Sequence, residues 1–223
     1  KSHAAAYAML GAVTAWFKKY HPAIYMAETL NIFKESKKFR HYLHVINEMG
    51  IRILPPDINV SGGEFMAKDN DIIFGLGGIK FMGQNADYII KERDARGEYI
   101  DLSNLIDRLL DYQQTNKRAI EGLIYSGALD SFAGTRNAKI KAAEFLLDNK
   151  KTTQKNVSRG QISFWDMIPE AKIPYKTASV PEFDKRYLME KEKEFAGFYV
   201  TEHPLDEVMP FLKHNNITNI SEL

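Results

Sequence analysis

The sequence predicts a mainly α protein with one small β-hairpin, and three observations carry that reading. Apolar residues recur at the three- and four-residue spacing of helix faces over much of the chain. Glycine and proline fall between those runs, at Pro22, Gly50, Pro55, Pro56, Gly83, Gly97 and Gly127. Residues 64–68 and 71–74 read as short strands, on either side of the turn Asp69-Asn70.

Residues 2–20 read as a helix that is apolar nearly all round, with Ala4, Tyr7, Met9, Leu10, Val13, Trp16 and Phe17. Such a helix is expected to be buried on most sides. His21-Pro22 ends it and opens a second helix, because proline suits a first helical position. That helix carries Ile24, Met26, Ala27 and Leu30. Ser36 is the expected N-cap of a third, which sets Phe39, Tyr42, Leu43, Ile46 and Met49 on one stripe and stops at Gly50. The two prolines of Ile53-Leu54-Pro55-Pro56-Asp57 impose an extended crossing and mark a boundary. Helices resume from Gly77 to about Phe145. Residues 149–179 turn polar and read as a linker, interrupted by the apolar island Gln161-Ile162-Ser163-Phe164-Trp165. A charged helix over 182–194 and a strand over 195–200 are expected after it, and a further element starts near residue 217.

Composition narrows the function classes. The chain of 223 residues has an ordinary apolar share of 44%, long enough for one large or two small cores. It holds no run of apolar residues long enough to cross a membrane, and no signal peptide is expected. Cysteine is absent, which excludes disulfides and thiolate metal sites and points to a reducing cytoplasm. Net charge is only +1, so attraction to nucleic acid must come from local patches or backbone amides. The densest patch is Arg136, Lys139, Lys141, Lys150, Lys151, Lys155 and Arg159, opposed by Glu144 and Asp148. Charge alone leaves a solvated surface as good an account of it as a binding one. The first residue is not Met and stands inside a helical pattern, as expected of a segment of something longer.

Residues 75–90 carry the first candidate site: a short helix, an apolar-apolar-Gly turn at Phe81-Met82-Gly83, then a helix opened by Gln84 and Asn85. This is the pattern of a helix-hairpin-helix. Gly83 lets backbone approach a phosphate, and the free amides opening the second helix face the anion along the favourable dipole. Such contacts position a duplex without reading its sequence. Lys80, Lys91 and Arg93 add long-range attraction. The competing account makes Gly83 a turn between packed helices and nothing more. A second copy favours the DNA reading: Asn116-Lys117-Arg118 opens a helix to Tyr125, Ser126-Gly127 turns it, and Gly134-Thr135-Arg136 starts another. The second site is Gln161 to Trp165, a short peptide suited to a partner's groove. Composition leaves that reading level with one in which Phe164 and Trp165 fold back onto the protein's own core.

Catalytic and metal-ligating candidates are poor. Asp69 and Asp71 have the spacing of a metal-binding pair but sit in a hairpin turn, where solvated acids are usual. His41 and His44 are three apart on one helix with no third ligand nearby. Ser2 and His3 are neighbours in sequence, which is not the geometry of a nucleophile and its base.

Taken together and in order, several stretches resemble the bacterial DNA polymerase III alpha (polymerase) subunit. Lys1 to Ala8 with His21-Pro22-Ala23 is similar to the end of its fingers, and Ile53 to Asn59 to the crossing that follows. Phe74 to Lys80 and Leu123 to Asp130 resemble the two ends of its tandem helix-hairpin-helix, and Glu192 to Tyr199 with His203-Pro204-Leu205 the approach to its OB-fold. The resemblance implies residues 1–50 as the C-terminal part of the fingers and 51–148 as a duplex-binding tandem helix-hairpin-helix domain. It makes 149–179 a linker with a clamp-binding peptide and 180–223 a short α/β lead-in to the OB-fold. It implies duplex contact by Lys80, Met82, Gly83, Gln84, Asn85, Lys91, Arg93, Lys117, Arg118, Gly127, Thr135 and Arg136. Gln161, Ile162, Ser163, Phe164 and Trp165 become the sliding-clamp tether, with Trp165 where Phe is commoner, and Lys1, Ser2 and His3 face the incoming nucleotide. Partners are then primer-template DNA, the clamp and other replicase subunits. Mg2+ and DNA-directed DNA polymerase activity belong to the parent chain, whose palm aspartates this sequence lacks, so it is expected to be inactive alone and to carry no cofactor. The alternatives are a non-catalytic helical scaffold and the error-prone paralogue without a working tether.

Overall fold

A computed structural model describes residues 2–110, 116–158, 180–201 and the single positions 204, 205, 208, 211 and 214, with backbone alone at 110 and 149–158. The fold is mainly helical with one small sheet. In chain order come α1 (Ser2–Tyr20), α2 (Pro22–Phe33), α3 (Phe39–Glu48), β1 (Ile53–Leu54), β2 (Met66–Lys68) and β3 (Asp71–Ile73). A 3-10 turn (Leu76–Gly78) follows, then α4 (Asn85–Arg96), α5 (Leu102–Leu110), α6 (Lys117–Tyr125), α7 (Arg136–Ser158) and α8 (Lys185–Ala196).

The α2 stripe Ala23, Met26, Ala27 and Leu30 is buried as its spacing dictates. The end of α3 is a Schellman turn: Ile51 N–H donates to Ile46 O at 3.1 Å and Gly50 N–H to Asn47 O at 3.0 Å, with Ile51 buried beneath. Ser36 does not cap α3, which starts three residues later at Phe39. Its hydroxyl instead accepts from Lys38 N–H at 3.2 Å. The hairpin forms with Met66 opposite Ile73 and Lys68 opposite Asp71. It gains a third strand that was not anticipated, since β1 pairs in parallel with β3 and gives the order β1-β3-β2. The diproline crossing makes this possible by holding the preceding residues extended. Arg52 ties that edge: its backbone N–H donates to Asp71 Oδ1 at 3.0 Å and its guanidinium pairs with Oδ2.

Two further expectations fail. Every residue of α1 is exposed, including Tyr7, Leu10 and Trp16, because among the described residues nothing covers its apolar sides. Apolar patterning shows which faces seek cover but cannot supply the neighbour. Residues 195–200 are not a strand. Helix α8 takes Phe195 and Ala196, stopped by Gly197 in the left-handed region with its N–H on Lys193 O at 3.0 Å. Phe195 and Phe198 then pack inward, Phe198 edge-on to Phe74 at 5.5 Å.

One cluster of buried side chains runs from Ala23 on α2 through Ile72, Phe74, Ile89, Leu105 and Leu123 to Ala196 on α8. Among the described residues, buried polar side-chain groups are matched. Arg108 lies over the Tyr99 ring at 4.1 Å and caps the open end of α4, donating to Glu92 O at 2.7 Å and Gly97 O at 2.9 Å. The densest network surrounds Arg136, whose Nη2 donates to Asp130 Oδ2 at 2.6 Å and Nη1 to Tyr125 O at 3.2 Å. Glu192, 1% exposed, lies 3.7 Å from the same guanidinium and accepts from the N–H groups of Val200 and Thr201 at 2.9 and 3.0 Å. Burial opposes the charge on Arg136, but the hydrogen bond to Asp130 and the charges of Asp130, Glu192 and Glu182 outweigh it and raise its pKa. Removing the guanidinium leaves Glu192 buried without its counter-charge. Arg136→Leu is therefore expected to cost about 3 kcal/mol, read as a lower urea midpoint at unchanged slope.

Candidate nucleic-acid interface

The first hairpin is built from glycine-permitted close approaches and an exposed tip. Leu76 and Ile79 are buried and anchor it, and Met82 is buried at its apex, so this residue serves packing. The expected first helix is reduced to the single 3-10 turn. Between the turn and α4, Phe81 and Gly83 both take positive φ, 67° and 51°. Gly83 has open space around its missing Cβ, so its conformation, and not crowding, demands glycine. Helix α4 then begins with no side chain capping it, beside exposed Gly83 and Gln84. Asn85 is buried in the turn, with its N–H on Met82 O at 2.9 Å. The one acid of that first turn, Asp87, is exposed on the side near Gly63. Lys80 is exposed at the tip, its own N–H anchored on Phe195 O at 2.8 Å. An uncapped helix start next to an exposed glycine and a lysine is suited to an anion.

The second hairpin has the same outline and a different occupant. Asn116 caps α6, its side chain accepting from Ala119 N–H at 2.7 Å. Gly127, with φ 87°, is buried, and a Cβ there would stand 2.7 Å from Arg136 Nη2. The start of α7 is already filled: Glu182 Oε2 accepts from Arg136 N–H at 2.7 Å and Oε1 from Asn137 N–H at 3.0 Å. Thr135 Oγ1 accepts from Ala138 N–H at 3.1 Å and donates to Val180 O at 3.0 Å. Segment 180–182 thus closes over the amides that a phosphate would need. Nothing in the local sequence signals this, because Glu182 arrives from 46 residues away.

The remaining candidates divide between surface and interior. Lys91 is exposed on α4. Arg93 turns inward and holds the crossing, donating to Ile58 O at 3.0 Å and Ser61 O at 2.9 Å. Lys117 is held by Glu144 at 2.7 Å, which raises its pKa. Arg118 lies over the Phe81 ring at 4.9 Å, within 3.7 Å of Glu121 and 3.6 Å of Glu194. Of the charged patch, Arg136 and Lys139 are buried and Lys141 is exposed. Burial lowers the pKa of Lys139. Ser2 and His3 are exposed on α1, His3 edge-on to Tyr7 at 4.6 Å. Lys1 and Gln161 to Trp165 lie outside the described residues. Among the described residues no group of three or more His, Asp or Glu is placed to hold a metal ion, and Asp71 is committed to Arg52. The described residues therefore offer no site that fits Mg2+. No described helix is long and apolar enough to cross a membrane.

The family described as helix-hairpin-helix motif matches residues 50–139, which contain both hairpins. The DNA polymerase III subunit alpha of Chlamydia pneumoniae is 33% identical over an alignment of 228 residues, covering 100% of this chain and 18% of that protein. By sequence, the chain belongs to the DNA polymerase III alpha family. The Thermus aquaticus protein of the same name is 36% identical over 92% of this chain and 16% of its own length. That of Borreliella burgdorferi is 35% identical over 92% and 18%. The chain spans about a fifth of the length of these DNA polymerase III alpha relatives.

Two residues that matter at this face carry no sequence signal: Phe81, because a left-handed backbone is not expected of phenylalanine, and Glu182. The cap can be tested by pH. Burial alone would raise the Glu182 carboxyl, but hydrogen bonds from the N–H groups of Phe183, Asn137 and Arg136, with the Arg136 charge, bring its pKa below the usual glutamate value of 4.5. A carboxyl lowered by folding stabilises the fold while ionised. The contribution is complete above its unfolded pKa and fades as pH falls through the lowered one. Glu182→Ala is expected to lose about 1 kcal/mol at neutral pH, and urea midpoints of variant and parent should converge on acidification.

Proposed function

We propose that this chain grips duplex DNA through the phosphate backbone at its first hairpin, as part of a replicative DNA polymerase. The observation that carries the reading is the uncapped, exposed start of α4 behind Gly83, set beside Lys80. The motif family and the relatives' name support the same partner. Contact is made by Gly83 and Gln84 through the backbone, with Lys80 and Lys91 adding charge, while Met82 and Asn85 hold the turn. Arg93, Gly127, Thr135 and Arg136 shape the domain from within. The duplex-binding domain is 51–148, flanked by the end of the fingers at 1–50 and the lead-in at 180–223. Polymerisation belongs to the parent chain, and this piece alone does not polymerise.

Neutralisation of about two phosphates, one by each of Lys80 and Lys91, gives a defined expectation. Anisotropy titrations with a duplex of unrelated sequences should show affinity falling about tenfold between about 50 and 200 mM salt, with no sequence preference. Gly83→Val, which forces a β-branched side chain into the left-handed region, should abolish most of that binding. Binding that ignores salt and survives Gly83→Val would favour a packing scaffold instead.

Within the same reading, Gln161 to Trp165 tether the polymerase to the sliding clamp, a Gln followed by paired hydrophobic anchors in a polar stretch. Titration of the bacterial clamp against this chain should give binding that disappears in the Gln161→Ala, Trp165→Ala double variant. Equal binding by both would take the tether away from this peptide and favour the error-prone paralogue.

A further inference from the structure

The first hairpin holds a large aromatic ring where its own backbone resists one. Phe81 has φ 67°, in the left-handed region that a Cβ disfavours, and the residue is 49% exposed. Packing covers the side chain only in part. The edge-on contact with Phe195 at 5.7 Å covers one side, and Phe195 is buried with Tyr125 stacked on it at 5.5 Å. Strained, exposed and conspicuous residues of this kind collect at sites of function. On another side Arg118 lies over the ring at 4.9 Å, so the tip presents an apolar face carrying a cation. Glu121 and Glu194 share that guanidinium, which fixes it above the ring as much as it screens it. Lys80 precedes the ring, and the uncapped start of α4 follows it four residues on.

We infer that Phe81 is the apolar contact of this hairpin with DNA, its ring lying against the deoxyribose edge of the strand whose phosphate the Gly83-Gln84 backbone holds. The inference rests on the phosphate-binding reading and adds what that reading lacks. A phosphate is flanked on both sides by sugars with apolar C–H faces. A cation beside an apolar ring at the same tip matches that alternation of anion and sugar. The contact is insensitive to salt, because it releases no counterion. It also gives a reason for the strain: glycine would satisfy the backbone and leave the sugar uncovered.

The test separates the two contributions. Duplex affinity is measured by anisotropy over a salt series for the parent chain, Phe81→Gly and Lys80→Ala, with a thermal melt of each. Phe81→Gly adopts the required φ freely, so its melting temperature should stay near that of the parent. Its affinity should drop roughly fivefold to tenfold at every salt concentration with an unchanged slope, the scale of one lost aromatic contact. Lys80→Ala should flatten the slope by roughly one contact. Parent-like affinity of Phe81→Gly, beside a parent that binds and a flattened Lys80→Ala slope, would overturn the inference and leave the phosphate reading intact. A Phe81→Gly variant that changes the slope would also overturn it. A parent chain that does not bind duplex would overturn both.

Discussion

The buried guanidinium of Arg136 joins three parts of the chain that sequence separates. It donates to Asp130 in the turn after α6 and to the last carbonyl of α6 at Tyr125, and it faces Glu192 on α8. Glu192 in turn holds the backbone of Val200 and Thr201, so one electrostatic network sets the second hairpin, α8 and the chain leaving it. A charge taken out of water is costly unless it is paired and hydrogen-bonded, and here buried Arg136 and Glu192 depend on this network for that. Glycine at 127 completes the arrangement, because the guanidinium occupies the space a side chain there would need. Helix α8, once fixed, presents the Phe195 carbonyl to Lys80 N–H, and the first hairpin is seated on it.

The two hairpins are therefore alike in outline and unlike in state. Both put a positive-φ glycine before or within a turn that feeds a helix, as phosphate-binding hairpins do. In the second, the chain's own carboxylate satisfies the helix amides, and a phosphate would have to displace Glu182 and the strap that carries it. In the first, the helix start has no side-chain cap and stands at the surface. The same local motif thus serves structure at one place and, in the proposed function, ligand binding at the other. What differs is whether a distant acid reaches it.

Low net charge fits this division. With +1 overall, the molecule has no broad field to attract a polyanion. Several cations that look available in the sequence are spent inside: Arg93 on two crossing carbonyls, Arg108 on the end of α4, Arg136 on Asp130. Among the candidates, Lys80 and Lys91 remain at the surface, as do Lys117 and Arg118, which are paired with acids. Attraction in the proposed reading is consequently short-ranged and anchored on backbone amides, with the Phe81 ring adding contact that charge cannot.

The sequence by itself determined the helical class, the α2 and α3 stripes, the hairpin about Asp69-Asn70, both glycine turns and the order of motifs that placed the chain in its family. These are local properties: side-chain periodicity, the φ that glycine permits, and the donor that proline lacks. What only the tertiary structure decided are the pairing of β1 with β3, the exposure of α1, the inward turn of Arg93 and Arg136, the Glu182 cap and the left-handed Phe81. Each depends on a group brought from elsewhere in the chain or on a backbone angle that residue type does not announce. A sequence states which amides and charges need partners; the partner is chosen only when packing brings distant segments within hydrogen-bonding distance.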